Sequence, residues 1–108
     1  MTTKPNVDQI IDEALLAAHE ASMKAEKEFI NWYPCGFAWV TIKPAHSKLA
    51  KRLIERDIGH KGYDVGVSVW NPSRHHTQNM DIKYAGAIAF AEVLQKYGVK
   101  AVADCRMD

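Results

Sequence analysis

Three short stretches of the chain alternate small or β-branched residues with aromatic, polar or charged ones. They are Gly36–Lys43, Asp64–Trp70 and Val99–Asp108. A period of two is typical of β-strands, whose successive side chains point to opposite faces of a sheet. If the three strands pair, they form a sheet with two unlike faces, and this feature limits the fold more than any other in the sequence.

One predicted face consists of small and β-branched, mostly apolar residues, and we expect helices to cover it. Its residues are Ala38, Val40, Ile42, Val65, Val67, Val69, Ala101, Ala103 and Cys105. The opposite face carries Phe37, Trp39, Thr41, Gly66, Ser68, Trp70, Asp104, Arg106 and Asp108. Two tryptophans beside an arginine and carboxylates suit neither open water nor a dry core. These tryptophans therefore either form a platform for a ligand or pack beneath the N-terminal helix.

Helices are predicted before and between these strands, because capping and stop residues bound each helical segment. The predicted helices are Val7–Ile30, Lys48–Asp57 and a third that follows the cap Asn79 and ends near Tyr97. Residues 1–108 then form a single domain of the α/β (α+β) class. A long N-terminal helix precedes a two-layer β-α-β-α-β unit over residues 35–108.

The first helix carries a seam of small and apolar residues at nearly heptad spacing. The seam consists of Val7, Ile11, Ala14 or Leu15, Ala18, Ala21 or Ser22, Ala25 and Phe29. Small residues let helices approach closely. A helix of about two dozen residues is roughly 35 Å long, which exceeds what a small sheet needs as cover. We expect the helix to pair with a second copy of the chain; the alternative is that it packs on its own sheet.

Composition narrows the class of function. The chain has 14 Lys and Arg residues against 13 Asp and Glu residues, whereas a nonspecific nucleic-acid binder normally has a basic excess. We therefore expect no nucleic-acid partner. Two cysteines, no long apolar run and no signal peptide predict a reduced cytoplasmic protein without a membrane segment. The cysteines and histidines have no metal-ligand spacing, and no cofactor is predicted.

The densest polar segment, Arg74–Asn79, comes just before the third helix. Free backbone amides and the helix dipole attract anions at such a position, and phosphate is the anion that we expect. Arg74, Gln78 and Asn79 are the candidate ligand-binding residues, because the segment leaves the strand that displays Trp70. Asn79 also has a sufficient structural role as the helix cap. The alternative is an ordinary solvated loop.

The C-terminal residues Arg106 and Asp108 share the predicted face of Trp39 and Trp70. Rings that stack a base, an arginine that holds phosphate and a carboxylate that reads ribose or base edges would together form a nucleotide site. The alternative is a terminal tail in which the two charges form a surface ion pair.

Groups with catalytic spacing are not recognisable in the sequence. It has no Gly-rich phosphate loop, no Ser-His-Asp arrangement and no Cys-His pair with an orienting partner. His46 is a candidate general base in principle, although a capping or surface role fits it better. We therefore expect a binding protein and not an enzyme.

Several segments together resemble a recurrent small phage protein. They are Cys35–Val40 with Pro44-Ala45, Asn71-Pro72, Thr77–Asp81, Ala89–Ala91 and Cys105–Asp108. The resemblance covers nearly the whole chain after the first helix. It is to the first type of phage Thoeris anti-defence protein, a sponge that sequesters a cyclic ADP-ribose isomer made by bacterial immune enzymes.

The resemblance implies a non-enzymatic α/β protein whose long N-terminal helices anchor a homodimer, with a hexamer as a further assembly. Its ligand would lie in recessed pockets built by both subunits, where an aromatic and an amide hold the base and arginines meet the phosphates. The matching positions are Arg106 and Asp108, followed by Trp70, Asn71, Gln78 and Asn79, and the stacking ring would be Phe37, Trp39 or Trp70. Relatives also bind cyclic trinucleotides at separate sites.

The expected function is the sequestration, without cleavage, of a cyclic nucleotide immune signal such as glycocyclic ADP-ribose, with cyclic oligonucleotides as further ligands. This binding would block Thoeris-type antiphage defence. One alternative is an enzyme acting on a nucleotide or nucleic acid, with His46, His75 or His76 as acid and base. Another is a module whose exposed aromatic residues bind a host protein.

Overall fold

The computed structural model describes residues 5–28, 35–62, 66–74 and 79–107. These parts of the chain contain three helices and four strands: α1 (Val7–Glu28), β1 (Gly36–Lys43), α2 (Lys48–Glu55), β2 (His60–Lys61), β3 (Val67–Trp70), α3 (Met80–Lys96) and β4 (Lys100–Met107). The predicted mixed α+β class with a long N-terminal helix is confirmed. None of the described helices is both long and apolar enough to cross a membrane.

The four described strands form one antiparallel sheet in the order β2-β3-β1-β4. With α2 and α3 as its crossovers, the chain follows the β-α-β-β-α-β connectivity of the ferredoxin-like arrangement. The sequence prediction of β-α-β-α-β missed β2. This strand has only two residues, flanked by Gly59 and Gly62, so it carries no alternation that could reveal it.

The strand register keeps the predicted alternation of residues between the two faces, so the sheet does have two unlike faces. Val40 lies opposite Val69 on one side and Ala103 on the other, whereas Trp39 lies opposite Trp70 and Asp104. The members of the predicted apolar face that are buried are Ala38, Val40, Ile42, Val67, Val69 and Ala101. Ala103 and Cys105 are half-buried, and Val65 lies outside the described residues.

Helix α3 packs across β1 and β4 and covers this apolar face. Asn79 begins it as predicted, since its side-chain Oδ1 accepts a hydrogen bond from the Ile82 N–H at 3.1 Å. Phe90 is fully buried at the centre of the core that α3 forms with the sheet. Helix α2 begins at the cap Ser47 and buries Leu49, Ala50 and Leu53.

The seam of α1 packs along α3 of the same chain. Its buried members are Ile11, Ala14, Ala18, Ser22 and Ala25. The Ser22 hydroxyl donates to the Ile82 carbonyl at 2.8 Å, and a Cβ placed on Gly86 of α3 would lie 2.5 Å from the Ser22 Oγ. Small residues thus allow a close approach of two helices, as expected. That approach occurs within one chain, which corrects our expectation that this seam joins a second copy.

Ion pairs fasten α1 to the other two helices. Asp8 accepts from Arg52 Nε at 2.9 Å and from Arg56 at 3.2 Å, and Asp12 accepts from Arg56 at 2.7 Å. At the far side, Glu13 forms an ion pair with Lys96 and accepts from the Tyr97 hydroxyl at 2.7 Å. These pairs are largely exposed, so each adds little to stability, but they link α1 to both α2 and α3.

Candidate ligand-binding face

No described helix or strand covers the face of the sheet opposite α3. We call this surface the open face; its central residues are Phe37, Trp39 and Thr41 on β1, Ser68 and Trp70 on β3, and Val102, Asp104 and Arg106 on β4. Large side chains on it remain in contact with water, with 52% of Trp70 and 65% of Val102 exposed. An exposed patch of large apolar side chains is typical of a binding surface.

Three rings form an aromatic cluster on the open face: Phe37, Trp39 and Trp70. The ring centroids of Trp39 and Trp70 lie 4.9 Å apart with a 33° angle between their planes. Phe37 meets Trp70 edge-on, with centroids 6.1 Å apart and an interplanar angle of 80°. Helix α1 packs on α3 at the other side of the sheet, so the tryptophans are not core residues beneath the N-terminal helix. The ligand-platform interpretation is the one that this geometry favours.

Two cations flank the Phe37 end of the aromatic cluster. Arg106 lies opposite Phe37 in the register of β1 and β4, and its side chain is exposed. Lys83 of α3 donates to the Gly36 carbonyl at 2.9 Å, which holds its ammonium 5.6 Å from the Phe37 ring centroid. The sequence predicted the first of these but missed Lys83, because nothing in the chain's spacing links a helical lysine to the beginning of β1.

At the other side of the cluster, β2 contributes a polar rim. His60 lies opposite Ser68 in the register, so it shares the open face with that serine. A shallow cavity of about 400 Å³ lies between the strands and is lined by His60, Lys61, Gly62, Ser68 and Trp70. Sequence reasoning missed His60 and Lys61, because they were interpreted as the end of a helix and not as a strand.

Asp104 adds a negative charge to this surface, on the edge strand β4. It lies opposite Trp39, on the side away from Trp70. Its Oδ1 accepts a hydrogen bond from the Cys105 N–H at 2.8 Å, and the side chain is exposed. A carboxylate here can accept hydrogen bonds from hydroxyl or amino groups, but it repels a phosphate.

The two predicted asparagines have structural roles. Asn71 directly follows Trp70, so the alternation along β3 does not place it on the open face. Its N–H donates to the Ala38 carbonyl at 2.9 Å, and its side chain accepts from the Ser73 hydroxyl at 3.2 Å. Its φ of 45° supports the turn that follows β3. Asn79 is 7% exposed and caps α3. Neither residue belongs to the aromatic cluster, so their predicted ligand role has no support in this geometry.

The structure separates Arg74 from the aromatic cluster. It lines a different cleft, of about 500 Å³, beside α1 and the end of α2; the other lining residues are Leu15, His19, Arg56, Ile58, Pro72 and Ser73. The expectation that Arg74 completes a site with Trp70 is therefore corrected, because the turn after β3 carries the chain towards the helices. Gln78 and Asp108 lie outside the described residues, as do His75 and His76.

The open face thus combines stacking surfaces, cations and hydrogen-bonding groups, which suits a flat ligand that carries phosphate. Across the described ranges, no group of three or more His, Cys, Asp or Glu side chains is arranged to hold a metal ion. Compared with known proteins, the chain matches no family model, no curated protein and no solved structure at a significant level.

Proposed function

We propose that the protein binds a phosphorylated cyclic nucleotide on the open face and holds it without cleaving it. The observation that carries this proposal is the aromatic cluster, in which Phe37 is 40% exposed and Trp70 52% exposed although both rings are in ordered strands. Stacking a base on such a ring contributes about 1–3 kcal/mol. The cluster therefore supplies the main part of the binding free energy in this proposal.

Phosphate recognition is assigned to the cations at the Phe37 end. Arg106 offers a guanidinium that can form two parallel hydrogen bonds to phosphate, and Lys83 offers a positioned ammonium. The base would then stack on Trp70, with Asp104 accepting hydrogen bonds from the sugar or the base edge. His60 and Ser68 provide further polar groups at the β2 side.

The proposed ligand is a cyclic ADP-ribose isomer such as glycocyclic ADP-ribose, with cyclic oligonucleotides as a second class. The support for this choice is the resemblance of segments such as Cys35–Val40 and Cys105–Asp108 to the phage sponge family. By sequestering the signal in the cytoplasm of an infected cell, the protein would block Thoeris-type defence as a homodimer, with a hexamer built from such dimers as a further assembly.

Calorimetric titration tests the proposal. Cyclic ADP-ribose isomers and cyclic trinucleotides would be titrated into the wild type, Trp70→Ala, Arg106→Ala and the control Leu16→Ala, whose side chain is 59% exposed on α1. Loss of a stacking ring should weaken binding by about tenfold or more. Loss of the guanidinium should lower the affinity for phosphorylated ligands. The control should bind like the wild type. The proposal would be contradicted if none of the ligands bound to the wild type, or if Trp70→Ala bound them with wild-type affinity.

Recovery of the ligand separates a sponge from an enzyme. Protein saturated with a cyclic ADP-ribose isomer would be heat-denatured, and the released molecule identified by mass spectrometry. Sequestration predicts the intact isomer. A cleaved product whose formation disappears in His46→Ala would instead support the enzymatic alternative.

One observation favours a second candidate, single-stranded RNA. In the β-α-β-β-α-β modules that bind RNA, aromatic side chains on the two central strands stack successive bases. Trp39 on β1 and Trp70 on β3 occupy the central strands in the same way. The nearly balanced charge of 14 basic and 13 acidic residues opposes this candidate. A short RNA included in the titration would distinguish the two, since tighter binding of RNA than of any cyclic nucleotide would favour it.

A further inference from the structure

Strand β4 forms one edge of the sheet, and no described strand pairs with its outer side. The Asn71 N–H donates to the Ala38 carbonyl, so the even-numbered residues of β1 direct their backbone groups to β3 and the odd-numbered ones to β4. In β4, the even-numbered residues consequently bond to β1. Ala101, Ala103 and Cys105 direct their N–H and C=O groups outwards. The Gln95 amide, which donates to the Ala101 carbonyl at 2.7 Å, agrees with this direction.

The open-face side chains of β4 form a self-complementary series. Lys100, Val102 and Asp104 follow one another at every second position, and all three are exposed. In an antiparallel pairing of two copies about Val102, each Lys100 lies opposite an Asp104 and the two valines face each other. Opposite charges and apolar pairs at facing positions stabilise paired strands.

From this edge we infer that a second copy of the chain pairs along β4 and joins the two sheets into one. Ala101 of each copy would exchange both of its backbone hydrogen bonds with Ala103 of the other. Val102 would form the central non-hydrogen-bonded pair, where side chains come closest, which covers a valine that is 65% exposed in one chain. The Ala101 carbonyl has two lone pairs and can keep its bond from Gln95.

Other registers of β4 against itself are less complementary. Pairing about Ala103 places Lys100 opposite Arg106, and pairing about Asp104 places two carboxylates together. Pairing about Cys105 sets Asp104 opposite Arg106, but it leaves Val102 at the end of the overlap and extends past Met107, where the described strand ends. The register about Val102 is therefore the one that combines charge pairing with burial of the exposed apolar residue.

The inferred pairing also bears on the ligand site, and this consequence rests on the proposed function. A two-fold axis perpendicular to the joined sheet places both open faces on the same side. Lys100 of the second copy would then lie beside Asp104 and neutralise the carboxylate that otherwise repels a phosphate. The pairing itself needs no ligand, so its test is done on the ligand-free protein.

Sedimentation velocity over a wide concentration range tests the inference with charge variants at exposed positions. The short edge predicts a weak, concentration-dependent dimer for the wild type. Lys100→Glu and Asp104→Lys should each weaken it by roughly tenfold, because both symmetry-related pairs become repulsive. The control Lys51→Glu, on the exposed side of α2, should dimerise like the wild type.

Two further experiments, in which dimerisation should be restored, make the test specific to this register. The double variant Lys100→Glu/Asp104→Lys should recover dimerisation, and an equimolar mixture of the two single variants should form a mixed dimer. Recovery in the mixture would also establish that both single variants are folded. A wild type that stays monomeric, a dimer insensitive to both charge changes, or a double variant that does not recover would each overturn the inference. A monomeric wild type would also contradict the homodimer of the proposed function, but none of these results would bear on ligand binding by the open face of a single chain.

Discussion

The two faces of the sheet come from the same strands, yet their side chains meet opposite conditions. On the helix-covered face, Val40 and Val67 are fully buried beneath the helices, and burial of apolar area stabilises the fold. On the open face, Phe37 and Trp70 are larger but remain partly in water. The difference indicates that the covered face maintains the fold, whereas the open face is the one that we propose for the ligand. Substitutions on the two faces should therefore separate stability from binding.

The largest effect is expected at the centre of the covered face. Phe90→Ala removes a fully buried ring from α3 and should lower the free energy of unfolding by about 3–5 kcal/mol, because it leaves a cavity as well as losing buried area. Chemical denaturation followed by circular dichroism measures this loss. A loss below about 1 kcal/mol would mean that the core does not centre on this ring.

A smaller loss is expected where α1 and α3 meet. Gly86→Val introduces a Cβ at 2.5 Å from the Ser22 Oγ and 3.1 Å from the Ala18 carbonyl oxygen, so the helices must separate. Overpacking of this kind costs about 1–3 kcal/mol. Ala85→Val, on a half-buried flank of the same helix, controls for the β-branched side chain. Equal unfolding free energies for both variants would contradict close packing at Gly86.

Periodicity predicted most of the fold, because it depends on local alternation and on caps that the sequence displays. The bounds of β1 and the cap Asn79 were correct for this reason. Periodicity could not predict β2, which is too short to show an alternation, and it could not predict the strand order. It also assigned the α1 seam to a second copy, since small residues permit a close approach without specifying the partner helix.

The candidate site was predicted only where strand parity determines it. Parity placed Trp39, Trp70 and Arg106 on one face, and the register agrees with this placement. It could not place Arg74, whose direction depends on the turn after β3, and it could not find Lys83, whose distance from Phe37 depends on how α3 crosses the sheet.

Trp70→Ala tests the open face and should affect stability less than either substitution above. The ring contacts Trp39 and Phe37, and an aromatic pair contributes about 0.5–1.5 kcal/mol, so a loss of about 1 kcal/mol is expected. Thermal and chemical unfolding of Trp70→Ala beside Phe90→Ala gives the comparison. A loss as large as that of Phe90→Ala would identify Trp70 as a core residue and remove the distinction between the faces.

The smallest effect is expected from acid titration of the ion pairs on the helical side. The hydrogen bond from Arg52, with the charges of Arg52 and Arg56, lowers the pKa of Asp8 below its ordinary 3.8. A lowered folded-state pKa contributes stability that is present above the unfolded value and is lost as the pH falls through the folded value. The melting temperature of the wild type should therefore exceed that of Asp8→Asn at neutral pH, and the difference should vanish in acid. A difference that grows on acidification would contradict this role for Asp8.

Two-dimensional NMR of the labelled protein during titration with cyclic ADP-ribose isomers tests the central claim most directly, because a 12.2 kDa chain gives resolved signals. The claim is that the open face binds the ligand. We predict shifts of the Trp39 and Trp70 indole N–H signals and of amides in β1, β3 and β4, with the amides of α1 unchanged. Shifts confined to the helical side, or no shift with any of these nucleotides, would contradict it.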